Sequence, residues 1–213
     1  MLDLLFKVIA LGIGSTISPV VFGLILALLA GKYPEKRSLA FILGAVLSAI
    51  IVILAGYEIG IHGIPGVAFS NELAYVDVGL GVLFVFFGIL SLTSKMEKAK
   101  ISVHSSNIFR WFAIGFVIDI TNFDAVLLLF TESKEIFQSG VLPIYKILLA
   151  VLGALFYLLP ALLPFIVYLM MKEKAEKILK PLGTAMKKYG KYLAFAIFMI
   201  FGIYMLYRGL MLL

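Results

Sequence analysis

The sequence predicts an all-α polytopic membrane protein: six transmembrane helices arranged as two inverted three-helix repeats, with both termini outside. Three observations predict this. Of the 213 residues, 63% are hydrophobic and only 14% charged, with a mean hydropathy of +1.13, whereas soluble domains are about 45–50% apolar. Several apolar runs reach the roughly 20 residues that a helix needs to cross a bilayer. The Lys and Arg residues, finally, gather in alternate connecting loops.

Taken in order, the spans fall at about residues 4–30, 38–61, 75–93, 111–131, 142–171 and 192–212. In the first, Asp3 and Lys7 precede apolar sequence too long for a cleavable signal, so a retained helix is expected. The loop after span one carries Lys32, Lys36 and Arg37. The loop after span three carries Lys95, Lys98, Lys100 and Arg110. Lys172, Lys174, Lys177, Lys180, Lys187, Lys188 and Lys191 follow span five, so these three loops hold 14 of the 18 basic residues. The side they share is expected to be cytoplasmic, which leaves Lys7, Lys134, Lys146 and Arg208 on or near the other. The chain is then a single domain over 1–213, with halves of about 1–94 and 110–213 joined by a cytoplasmic loop at 95–109, and the plasma membrane is its expected home.

The formal charge of +6 is thereby a topology signal, and no nucleic-acid partner is expected. Cysteine is absent, which removes disulfides, thiolate metal sites and thiol redox chemistry. No cofactor is implied; the expected partners are the bilayer itself and a small-molecule or cation substrate.

Short matches relate the two halves. Phe84-Val-Phe-Phe87-Gly88-Ile89 recurs as Phe198-Met-Ile-Phe201-Gly202-Ile203 at an offset of 114; Leu43-Gly44-Ala45 recurs as Leu152-Gly153-Ala154 at 109; Pro19 pairs with Phe123 at 104. Three spans per half put the second half into the membrane from the opposite side. Inverted repeats of this kind provide two conformations of similar energy, each exposing one site to one side.

Polar breaks interrupt spans one and four. Gly12-Ile-Gly14-Ser15-Thr16-Ile-Ser18-Pro19 lies near the middle of span one, and Pro19 lacks a backbone donor and clashes with the preceding turn, so a kink or break is expected. Span four holds Asp119-Ile-Thr121-Asn122-Phe-Asp124. Each carboxylate at mid-membrane costs about 2.5–3.5 kcal/mol on insertion scales unless a cavity, a partner or a cation receives it. Asp124 lies about 140° around an ideal helix from Asp119, so local unwinding is needed to aim both acids at one cavity. Converged with Asn122, Thr121, Ser15, Thr16 and Ser18, they form an oxygen-rich pocket for a proton, a hard cation or a substrate ammonium. If a metal binds, Asp119 and Asp124 are its expected ligands. The bland alternative is a back-bonded proline kink with one acid paired to a neighbouring helix.

Elsewhere, Glu58, Asp77, Glu132 and Lys146 fall near the outer ends of spans and are expected to snorkel to the interface. His62 and His104 are isolated loop residues without metal-ligand spacing. Pro160 and Pro164 share a face of span five and mark a candidate hinge. Residues 172–191 suit either an amphipathic helix on the headgroups or a solvated loop. Gly56 and Gly60 form a small-residue face able to pack helices within the chain or in a homodimer.

The run Gly14-Ser15-Thr16-Ile17-Ser18-Pro19, the basic loop at 32–37 and Leu39-Ala-Phe-Ile-Leu-Gly44-Ala45 resemble the lysine exporter (LysE) superfamily, nearest to its branch of glycolipid-addressing proteins. Asn122-Phe123 stands where many relatives carry Asn-Pro. The layout is also similar to CcdA-type carriers of reducing equivalents, but Val20 and Asp124 stand at or near their cysteines, and a thiol relay is excluded. The resemblance implies export of a small solute, a cation or a lipid-linked compound. A secondary transporter using alternating access is therefore expected, not an enzyme. The alternatives are an intramembrane hydrolase or lipid-modifying enzyme using Asp119 and Asp124 as an acid/base pair, and a structural membrane subunit.

Overall fold

The structure, a computed structural model, describes residues 2–62, 69–93 and 107–212. The connecting residues Lys95, Lys98, Lys100 and His104, and with them most of the expected 95–109 loop, lie outside the described residues. Among the described residues all regular structure is helical: α1 (Leu2–Ser15), α2 (Pro19–Leu29), α3 (Pro34–His62), α4 (Phe69–Thr93), α5 (Ile108–Ile120), α6 (Phe123–Gln138), α7 (Pro143–Met171) and α8 (Ala175–Leu212), with a single 3₁₀ turn at Lys172–Lys174. Prolines punctuate the starts of α2, α3 and α7, where the missing N–H is one that a helix leaves unpaired anyway. At α5 the side chain of Asn107 accepts from the amides of Phe109 and Arg110, supplying the cap that a helix start requires.

Four helices are long and apolar enough to cross a membrane alone: α3, Ala74–Leu92 within α4, α7, and Lys188–Leu212 within α8. The pairs α1–α2 and α5–α6 pass the same test only together, each bent at a short break, by 57° and 72°. The chain thus has four apolar spans, or up to six if each bent pair is one. The 38 residues of α8 reach about 57 Å at 1.5 Å per residue, well beyond a hydrocarbon core of about 30 Å. Its first half belongs to the alternative in which residues 172–191 are helical; the solvated loop is not formed, because Ala175 and Leu179 bury themselves against Phe22 of α2.

Helix directions follow from paired contacts. α4 and α8 run antiparallel, with Asp77 bonded to Arg208 at one end, the rings of Phe84 and Phe198 edge to face at 5.3 Å midway, and Ser91 donating to the Lys191 carbonyl at the other end. α3 runs parallel to α5 and α6: Phe41 and Gly44 meet Gly115, Phe112 and Phe116, while Gly56 and Gly60 meet Phe130, Ser133 and Gln138. The Gly56–Gly60 face is therefore occupied by α6 of the same chain.

Two expectations need correction. α7 stays helical through Pro160 and Pro164, both buried, so the segment is not unwound where the prolines remove two backbone bonds. Asp77 and Glu132 do not snorkel either. Both are 1% exposed, because α6 continues to Gln138 and carries its polar run Glu132–Glu135 inside the bundle. Glu58 is exposed and faces His62 at 3.2 Å in the last turn of α3. Lys146 donates to the Phe137 carbonyl. Arg37, counted with the loop lysines, is buried in the first turn of α3 beneath Tyr33.

Candidate functional site

The two breaks face one another. Between Ser15 and Pro19, and between Ile120 and Phe123, the helical ladder is replaced by short-range turns, the amide of Ser18 bonding the Thr16 carbonyl and that of Phe123 the Thr121 carbonyl. Helical bonding resumes with Phe22 on the Ser18 carbonyl and Val126 on the Asn122 carbonyl, each at 3.0 Å. Across the gap the amide nitrogen of the Asn122 side chain donates to Ser18 Oγ at 3.0 Å. Gly12 and Gly14 are buried on the approach to the first break, against Phe156 and Ile197.

Behind the breaks lies a hydroxyl pair. Tyr157 on α7 donates to the Asp119 carbonyl at 3.0 Å; since a phenol has one proton, Ser48 Oγ, 3.1 Å away, is the donor to Tyr157. Tyr157→Phe should therefore lower stability by about 1–3 kcal/mol, the usual range when a buried polar partner is removed. Unchanged thermal unfolding of the purified variant would contradict this bond.

The predicted oxygen-rich pocket assembles only in part. Ser18 and Asn122 meet. Ser15 Oγ bonds back to the Gly12 carbonyl, Thr16 to Ile13 and Thr121 to Val117, as short hydroxyls do when a carbonyl three or four residues back is the nearest acceptor. Asp119 is 3% exposed, with Oδ2 lacking any hydrogen-bond partner. Asp124 is half-buried in the first turn of α6, where the helix dipole favours a carboxylate. Among the described residues no three of His, Cys, Asp or Glu gather as a metal site, so a metal at Asp119 and Asp124 would draw its other ligands from neutral oxygens.

One cavity lies beside the first break and a second among charged residues of α1, α4, α6 and α8. The first, of about 550 Å³, begins at Pro19 and runs along Phe22, Leu26 and Leu29 of α2, closed by Tyr168 and Leu179, with Lys172 and Lys180 among its lining. Lys172 holds a left-handed backbone (φ 44°), unusual for a residue with a β-carbon, at the reversal from α7 into the 3₁₀ turn. The other cavity, about 400 Å³, is lined by charged groups including Lys7, Asp77, Glu135 and Arg208. There Asp77 binds both Lys134 and Arg208, and Glu135 accepts two bonds from Arg208, at 2.8 and 2.5 Å, with Lys7 at 3.5 Å. Sequence reasoning missed this network of α1, α4, α6 and α8. Its one signal was the unbroken polar run from Glu132 to Glu135 in an apolar setting.

No curated protein and no solved structure matches the chain. A family model does, over residues 8–211, which take in both breaks, the cavity beside the first of them and the greater part of the eight helices. The chain is a multi-pass membrane protein and belongs to the family described as Sap, sulfolipid-1-addressing protein.

Proposed function

We propose that this protein is a small secondary transporter that exports an anionic lipid-linked compound by alternating access, acting as a carrier and not as an enzyme. The observation that carries this reading is the cavity of about 550 Å³ that starts at the first break and has an apolar wall with Lys172 and Lys180 beside it. An acyl chain suits the wall, and an anionic headgroup suits the two ammonium groups. The family description names a sulfolipid, and a lipid with a sulfur-acid headgroup has both parts.

In this reading each bent pair is one span, which makes six spans in two inverted halves. Bends of 57° and 72° support it, because a re-entrant hairpin would turn back by more than 90°. So do the helix directions, since six alternating spans require α4 and α8 to be antiparallel and α3 to parallel α5 and α6. The offsets are the third support. Ser18 bonds Asn122 at a separation of 104, Ser48 bonds Tyr157 at 109, and Phe84 packs on Phe198 at 114. These are the offsets of the sequence matches, and equivalent residues touch each other only at the axis that exchanges the halves. Phe84 lies against Gly202 and Phe198 against Gly88, each close to where a β-carbon would stand, at 3.1 and 3.2 Å. The lysines then face the cytoplasm, with both termini outside the plasma membrane, in keeping with a wider kinship to lysine exporters.

The reading is tested in proteoliposomes with a fluorescent sulfated glycolipid. Wild-type protein is expected to move it between leaflets. The double variant K172Q/K180Q should bind it about thirty-fold more weakly, at about 1 kcal/mol for each lysine near the surface, and treat a neutral glycolipid as wild type does. Movement that is absent from wild type, or equal for both proteins and both lipids, would sink the proposal. Release of a chemically altered lipid would favour an enzyme instead.

A further inference from the structure

Glu132 differs from the other acids among the described residues. It is 1% exposed and neither carboxylate oxygen has a hydrogen-bond partner. Space for it is made by Gly153 on α7: a β-carbon there would come within 2.6 Å of the Glu132 carboxyl carbon. The sequence match of Gly153 with Gly44 thus conceals a difference in use, since Gly44 admits the backbone of α5 and Gly153 admits an acid.

Several charged and titratable groups on the surrounding helices have other partners. On α6 itself, Lys134 binds Asp77 of α4, and Glu135 binds Arg208 of α8 and Lys7 of α1. On α7, Lys146 donates to the Phe137 carbonyl, and Tyr157 is held by Ser48 of α3 and the Asp119 carbonyl of α5. On α3, Glu58 and His62 face each other at the surface. Among the described residues no cation lies within ion-pair distance of Glu132, and no cluster of acids or imidazoles surrounds it. A metal ion needs six or more oxygens, or several nitrogen and oxygen ligands. A proton needs one.

We propose that Glu132 is the proton-carrying site of the transporter, so that export of the lipid is coupled to inward movement of a proton. The inference rests on the transport reading above and deepens it. In each cycle the carboxylate takes one proton from the outer side as an anionic substrate is released there, becomes the neutral acid, and returns that proton to the cytoplasm as the next anionic substrate binds. Position favours this. Glu132 is two residues from Lys134, whose bond to Asp77 ties α4 to α6. Tyr157 follows Gly153 by one turn of α7, about 6 Å, and its hydroxyl donates to the backbone carbonyl of Asp119, the residue of the other carboxylate with a buried, unpartnered oxygen.

Two measurements on the full chain test it. In proteoliposomes loaded with a pH-sensitive dye, wild type should acidify the lumen during export of the sulfated glycolipid out of it, and an acidic exterior should accelerate that export. In E132Q both effects should vanish while lipid exchange without a gradient persists, and E132D should restore part of the coupling. Gradient-driven export in E132Q equal to wild type overturns the proposal. Failure of wild type to move lipid at all overturns the transport reading instead. Infrared difference spectra of the detergent-solubilised protein then decide for Glu132. A carboxyl band that titrates in wild type and is missing in E132Q upholds proton binding; identical spectra refute it. Should E132Q not fold, Gly153→Ala, which displaces the carboxylate, must shift the same band.

Discussion

Asp77→Ala is expected to destabilise the protein by about 3–5 kcal/mol, the penalty for breaking a buried ion pair from one side. Lys134 is wholly buried and its main partner is Asp77. With that carboxylate gone, the nearest remaining acid is Glu135 at 3.9 Å, already held by Arg208. An ammonium left without a close counter-ion inside the bundle faces several kcal/mol of desolvation. Lys134→Met should be milder, because Asp77 keeps Arg208 at 2.6 Å and the methionine fills the space with apolar atoms. The double variant Asp77→Ala with Lys134→Met should recover most of the loss, since no charge is then stranded at Lys134. Thermal unfolding in one detergent compares all three, and a double-mutant cycle isolates the pair. If Asp77→Ala were as stable as wild type, the network would not hold α4 against α6.

Gly44→Leu is expected to prevent α3 from seating on α5. A β-carbon at Gly44 would strike the backbone of α5, at the Phe112 carbonyl and 2.6 Å from the Phe116 amide nitrogen. A colliding side chain can change rotamer, but here backbone meets backbone and the helices must part. Gly115 makes the reciprocal approach to Phe41, whose carbonyl carbon would lie 2.8 Å from a β-carbon. Overpacking of a core side chain costs about 1–3 kcal/mol, and separating a helix interface should exceed that range. The expected result is loss of folded, monodisperse protein after detergent extraction. Gly79→Ala provides the control. Nothing lies within 4 Å of its β-position, and replacing a mid-helix glycine by alanine gains about 0.5–1 kcal/mol. Equal behaviour of the two substitutions would show that the α3–α5 approach is not as close as described.

Much of the architecture was legible in the order of residues. Spans two and five are near-continuous apolar runs, and both are single helices in the structure, 29 residues each. The two stretches with a polar run near the middle, at about 4–30 and 111–131, are instead each divided into two helices, at Ser15–Pro19 and at Ile120–Phe123. What local reading misjudged was the reach of neighbouring helices. Pro160 and Pro164 suggest unwinding when span five is considered alone, yet the segment stays helical with both prolines buried. Residues 172–191 have the composition of a loop and of an amphipathic helix equally, and the apolar contact of Leu179 with α2 decides for the helix.

The site divides in the same way. Asp119 and Asp124 stand out in any apolar sequence because an acid in hydrocarbon is costly wherever it lies. Whether neighbouring hydroxyls join them depends on competition within a turn, and Ser15, Thr16 and Thr121 each take their own helix's carbonyl instead. Asp77 and Glu132 were misjudged as interfacial because depth was counted from where apolarity ends, whereas α6 carries its polar run inward, where Lys134 and Glu135 meet charges on other helices.

The sequence by itself determined that this is a helical membrane chain, where its apolar runs lie and where polar breaks interrupt two of them, because hydropathy, proline and charge act through residues a few positions apart. Only the tertiary structure decided which polar groups meet. The partners of Asp77, Lys134, Glu135 and Arg208 lie as much as 131 positions apart, and ion pairing depends on distances in space that only the packing of α1, α4, α6 and α8 sets. The same packing satisfies those four residues and leaves Glu132, amid the same polar run, with its two oxygens unpaired.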